Sequence, residues 1–318
     1  MSKSVFCNRC GAESALPGAV FCNRCGARLA KRSSTVGEFL LSLVKCLGYY
    51  AVFLGVSLGV DLVYTTFATI RAAAAENTAV NKLTEEALYA EYSRYAPQVS
   101  IFSAILVLVI YVIIFRARGK RLAKEIRLKG LNVLSGGAMI AMGASAQFLV
   151  ALLLTVLYAF YPSLSEYSNS DTFEMIFQNS DPLFQFLHIA VMTPIIEEVL
   201  FRGLIHTRLR RTVSPALAVI LSSLIFGVAH GNAEQFVYTC LVGALMGAAY
   251  EKYGSIIAPI LIHAAFNGTS FVLQYLNFKY SVTYLFFFAA ATGLFLVCTS
   301  FVFCAKNTPY TPNAKERS

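Results

Sequence analysis

Uninterrupted apolar segments of about 16 to 30 residues recur between positions 39 and 304. At about 1.5 Å of helix rise per residue, such lengths suit a hydrocarbon layer about 30 Å thick. The chain has 318 residues, 57% of them hydrophobic and only 14% charged. Soluble domains usually carry roughly a quarter charged residues, so a water-soluble globular fold is excluded. The expected class is all-α: a polytopic membrane helix bundle of about eight transmembrane helices, preceded by a small N-terminal module that the CxxC pairs Cys7/Cys10 and Cys22/Cys25 mark as a zinc ribbon. The spans fall at roughly 39–69, 98–115, 131–160, 183–206, 214–230, 235–250, 255–276 and 281–304.

Charge between the segments sets the expected orientation. The connection from Arg116 to Lys129 carries Arg116, Arg118, Lys120, Arg121, Lys124, Arg127 and Lys129. Basic loops stay in the cytosol. The connection 161–182 carries Glu166, Asp171, Glu174 and Asp181 with no Lys or Arg, which suits the opposite side. Arg208, Arg210 and Arg211, and then Lys306, Lys315 and Arg317, return to the cytosolic side. The alternation predicts a multi-pass cell-membrane protein with both termini cytosolic. Its first 30 residues are polar and cysteine-rich, so the first span is expected to act as the insertion signal. The net charge of +9 lies mostly in short runs beside apolar segments, which fits contact with the lipid bilayer and argues against nucleic acid. Glycine and alanine in the third segment (Gly136, Gly137, Gly143, Ala144, Ala146) and the sixth (Gly243, Ala244, Gly247, Ala248) are read as close-packing positions.

Near the N-terminus, Cys7 and Cys10 form one CxxC pair and Cys22 and Cys25 another, each followed by glycine. Two such knuckles suit one tetrahedral, structural Zn²⁺. The alternative is a pair of disulfides, which needs an oxidising compartment and conflicts with a cytosolic N-terminus. A closed four-thiolate site is structural, or a module for binding a protein partner, and not catalytic. Cys46, Cys240, Cys298 and Cys304 lie in or beside apolar segments and are read as packing residues.

Ionisable groups inside a span are costly and need a reason. They gather in segments four to seven: TPIIEEVLFRG with Glu197, Glu198 and Arg202; FGVAHG with His230; LIHAAFNG with His263 and Asn267. Four-residue spacing puts Glu198 and Arg202 on one helix face, where they can pair. Glu197 lies about 140° around from Arg202 and is left free, as a general base requires. His263 and Asn267 share a face and can converge on one atom. Depth is the difficulty, because straight helices place Glu197 and His263 about 13 Å from the cytosolic end and His230 about 24 Å from it. Either the fifth helix is short and tilted, or the turn from Gly231 to Gln235 lies at membrane depth against a wet cavity.

The motifs EExxxR, FxxxH and HxxxN, in this order on successive membrane helices, resemble the CAAX-protease and bacteriocin-processing family of intramembrane peptidases. The likeness covers roughly residues 140–300 and extends to the tyrosine and glycine of YEKYGSIIAPILIH. It implies an endopeptidase acting on a membrane-associated protein or peptide. It further implies Glu197 as catalytic glutamate, His230 as holder of the attacking water, His263 and Asn267 as oxyanion donors, and Glu198 with Arg202 as a supporting ion pair. The organisation expected is a cytosolic ribbon at 1–30, a linker at 31–38, a transmembrane peptidase domain at 39–305 and a cytosolic tail at 306–318. No HExxH helix is present. Water activated by glutamate is favoured over a metal site built from Glu197, His230 and His263. A non-catalytic membrane adaptor, or an immunity-type protein using the ribbon to bind a partner, is the alternative function.

Overall fold

The computed structural model describes residues 5–6, 13–14, 36–162, 179–276 and 285–304. The four ribbon cysteines Cys7, Cys10, Cys22 and Cys25 lie outside the described residues, as do Glu166, Asp171 and Glu174 of the acidic connection and Lys306, Lys315 and Arg317 of the tail. Val5–Phe6 pairs antiparallel with Glu13–Ser14. All else of regular structure among the described residues is helical.

The main helices are α1 (Val36–Ala75), α2 (Glu85–Ala117), α3 (Val133–Phe160), α4 (Pro182–Leu209), α5 (Pro215–Ala229), α6 (Ala233–Tyr253), α7 (Ile257–Tyr275) and α8 (Leu285–Cys304). Each overlaps one expected segment. Six of them, α1 to α4, α7 and α8, are long and apolar enough to cross a membrane. The other two fall short of the expected eight for different reasons. With 15 residues, α5 spans about 22 Å. With 21 residues, α6 is long enough but carries Glu234, Glu251 and Lys252 near its ends.

The stretch between the first two segments departs from expectation, because helix continues through most of it. The alanine-rich end of α1 favours helix, and α2 begins thirteen residues before its apolar run, at a Thr84 cap that accepts from the Ala87 amide. Across this hairpin Arg71 pairs with Glu91 at 2.9 Å, and the Tyr64 hydroxyl donates to the Tyr92 carbonyl at 2.7 Å.

Local signals set the other helix starts. Asn132, Asp181, Ser214 and Asn232 each accept amide hydrogens as caps, and Pro182 and Pro215 occupy the first turns that follow Asp181 and Ser214. Gly254 ends α6 at φ 59°, a left-handed conformation that suits glycine. Three connections meet at one end of the bundle. The Tyr250 hydroxyl donates to the Ile126 carbonyl at 3.2 Å, the Ile256 amide to the Arg127 carbonyl at 3.1 Å, and Arg211 binds Glu125. The basic loop after α2, the end of α4 and the α6–α7 turn therefore share a side, as the charge alternation requires.

The core is built by α3 packing on α7 and α8, and by α5 packing on α6. Gly143 fixes the first of these contacts: a Cβ there would lie 2.1 Å from the Ile262 carbonyl oxygen. Only glycine allows α3 to approach the backbone that carries His263. Gly143→Val should therefore lower the thermal midpoint in detergent, with an overpacking cost of about 1–3 kcal/mol or more. Gly137, where a Cβ meets nothing within 4 Å, serves as the control, and equal midpoints for the two valine variants would refute this packing.

Candidate active site

Helix α4 is not uniformly α-helical. It widens into π-helical turns at Leu187–Met192 and Val199–His206, on either side of the α-helical Thr193–Glu198. The Thr193 amide reaches the carbonyl of His188, five residues back. Widened turns of this kind recur at functional sites. Here they bracket the two glutamates.

Glu198 and Arg202 are fully buried, and Arg202 Nη1 donates to Glu198 Oε1 at 2.7 Å. Arg202 Nη2 donates to the Gly243 carbonyl at 3.1 Å, and its guanidinium lies 4.5 Å from the Phe226 ring centre. The same Glu198 Oε1 lies 3.0 Å from His263 Nδ1. A carboxylate only accepts, so Nδ1 is the donor and His263 Nε2 is left toward the cavity. From there Nε2 stands 3.8 Å from Glu197 Oε2, beyond hydrogen-bond reach, and this buried Glu197 oxygen makes no hydrogen bond among the described residues.

Despite the depth expected of straight helices, His230 reaches the site, and Glu234 and Gln235, just after it at the start of α6, line the same cavity. His230 caps the C-terminus of α5, and the Phe226 ring stands 4.7 Å from the His230 ring and 5.9 Å from the His263 ring. His230 Nδ1 donates to the Phe226 carbonyl at 2.8 Å. Since that carbonyl only accepts, neutral His230 presents Nε2 as an acceptor. Asn267 differs from its expected partnership with His263: its Nδ2 donates to the Ile189 carbonyl at 3.0 Å, fastening α7 to the first widened turn.

Glu197, His230, His263 and Asn267 all line one cavity of about 1480 Å³, whereas Glu198 and Arg202 stand behind its wall. Such a volume holds a peptide segment. Among the described residues, no group of three or more His, Cys, Asp or Glu side chains is arranged to hold a metal ion. Glu197, His230 and His263 are not arranged as such a cluster.

Two histidines, His188 in or near the fourth segment and His206 at its cytosolic edge, have no role assigned from the sequence. His188 lines the cavity from the first widened turn. His206, one helical repeat beyond Arg202, is fully buried and bonds Ser222 at 3.2 Å and Glu251 at 2.8 Å. Arg210 Nε also donates to Glu251 Oε1, at 3.1 Å, so this carboxylate ties the end of α4 to α6. Spacing from Arg202 was the one available signal for His206. Its partner on α6 had none.

Fold and site together define a multi-span helical membrane protein with a buried, acid- and histidine-lined cavity. Residues 179–269 match the family model described as type II CAAX prenyl endopeptidase Rce1-like. The chain is similar to the membrane-embedded CAAX protease MroQ of Staphylococcus aureus (strain USA300), with 28% identity over 137 residues, 41% of this chain and 53% of that protein. It is also similar to the putative membrane peptidase YdiL of Bacillus subtilis (strain 168), with 27% identity over 85 residues, 27% of this chain and 35% of that protein. The matches thus span about half of one relative and about a third of the other. No solved structure gives a significant match.

Proposed function

We propose that this protein is an intramembrane endopeptidase that hydrolyses a peptide bond of a membrane-associated protein or peptide. The observation that carries the reading is the buried Glu197 oxygen, unbonded among the described residues and lining one cavity with His230, His263 and Asn267. In this reading Glu197 takes a proton from water held by His230 Nε2, and the resulting hydroxide attacks the substrate carbonyl. His263, which takes a second proton from solvent before the water is activated and returns it after product release, and the Asn267 amide donate to the oxyanion. The proton on Glu197 passes to the leaving amine as the C–N bond breaks. Glu198 and Arg202 act one layer back, fixing the tautomer and orientation of His263.

Substrate trapping tests this reading. Membranes containing the wild type should show new internal termini in one or a few membrane proteins, and the same proteins should co-purify intact with Glu197→Gln. If no new terminus depends on Glu197, the reading fails.

The remaining proposals concern organisation: eight crossings with both termini cytosolic, and a structural Zn²⁺ held by Cys7, Cys10, Cys22 and Cys25 in a ribbon that binds a protein partner. Their support is the charge alternation and the paired CxxC spacing. Reporters fused at Gly119 and Ser168 should lie on opposite sides, and Cys7→Ser with Cys22→Ser should remove one zinc per chain. Reporters on one side, or unchanged zinc, would overturn the respective proposal.

A further inference from the structure

Part of the cavity lining comes from α1 and α2, which precede the matched segment 179–269. Here α1 contributes Phe53, Ser57 and Asp61, and α2 contributes Ser103, whose hydroxyl bonds Ser57 at 3.3 Å. Asp61 is the sole acidic residue between Glu38 and Glu76. Its side chain is exposed and lines the cavity. Its Oδ1 accepts from the Tyr92 hydroxyl at 2.7 Å, and the Tyr92 ring leans on Tyr64 at 5.2 Å, so the carboxylate is held from behind. The nearby cations are occupied elsewhere, since Arg71 and Arg94 both bind Glu91.

Charge along the cavity is one-sided. Its described lining includes Asp61, Glu197 and Glu234 but no Lys or Arg. A free substrate carboxylate would find no cation there, whereas a basic side chain would find a fixed and unneutralised partner. The buried, unbonded Glu197 oxygen independently marks the same cavity as one that receives a polar ligand.

The offset of the two acids along the bundle axis follows from one contact. The Tyr50 and Phe201 rings, 6.3 Å apart, set α1 and α4 at a common level. From that level Asp61 lies eleven residues along α1 and Glu197 four residues back along α4 in the same direction, a difference of about 10 Å along the bundle. An extended peptide covers that distance in about three residues.

Resting on the peptidase reading, we infer that Asp61 is a specificity residue: it receives a Lys or Arg side chain of the bound peptide about three residues from the scissile bond. The substrate is therefore a membrane-associated segment with a basic residue near an internal cleavage site.

The test uses the full chain in nanodiscs with fluorescein-labelled apolar peptides of sixteen residues, each carrying a single Lys, Gln or Glu at a scanned position. Anisotropy with Glu197→Gln measures binding without cleavage. The Lys peptide should bind at least about tenfold more tightly than its Gln counterpart, the factor a hydrogen bond between charged groups supplies, and the Glu peptide most weakly. Adding Asp61→Asn should bring the Lys-to-Gln ratio below about threefold, Asp61→Glu should restore it, and Asp61→Lys should reverse it toward the Glu peptide. A ratio unaltered by Asp61→Asn, or no preference before substitution, overturns the assignment. Wild-type cleavage of the same peptides separates the two readings. A charge preference without cleavage sinks the peptidase reading alone, and cleavage without a charge preference sinks the role of Asp61 alone.

Discussion

Glu197→Gln should lower peptide-bond turnover by about two orders of magnitude or more, the range that general acid–base catalysis supplies, while leaving the helical fold intact. The substitution keeps the shape and polarity of the side chain but removes its ability to take a proton. Because the Glu197 Oε2 atom supports no hydrogen bond among the described residues, the amide breaks none at that atom. The thermal midpoint in detergent should therefore stay close to that of the wild type even as turnover collapses. A variant equally impaired in folding and in turnover would place Glu197 among the structural groups instead.

The opposite pattern is expected one residue on. Glu198→Gln removes the charge that neutralises a fully buried Arg202, and breaking a buried pair from one side costs about 3–5 kcal/mol. It also weakens the acceptor that orients His263, so turnover falls together with stability. Arg202→Met alone should be comparably destabilising, since it strands the Glu198 carboxylate. The double variant Glu198→Gln with Arg202→Met leaves no uncompensated charge and should recover much of the lost stability without recovering full turnover. Thermal midpoints of the three variants decide the matter. If Glu198→Gln unfolds at the wild-type temperature, the pair does not hold the site together.

Much of this arrangement was legible because its rules are local. Apolar run length located the eight helical segments, and four-residue spacing paired Glu198 with Arg202 and separated Glu197 from it. What could not be read depends on neighbours distant in the chain. The hydrogen bond from His263 to Glu198 joins residues 65 positions apart, and that from Asn267 to Ile189 joins residues 78 apart. The widened turns of α4 leave no trace in residue spacing. The ends of α1 and α2 were missed for another reason: the apolar signal stops at the polar residues, whereas the helices continue on alanine propensity, a cap and cross-hairpin pairs. The meeting of His230 with the α4 and α7 residues at one cavity could not be read either, since residue counting put it at a different depth.

Single-turnover cleavage in H₂¹⁸O by the full chain tests the central claim most directly. Direct attack by water held between Glu197 and His230 predicts one ¹⁸O atom in the new C-terminal carboxylate of the product, none in the Glu197 side chain, and labelled product from Glu197→Gln formed at least about a hundredfold more slowly. Label recovered in the Glu197 carboxylate, or labelled product formed at the wild-type rate by Glu197→Gln, would contradict it.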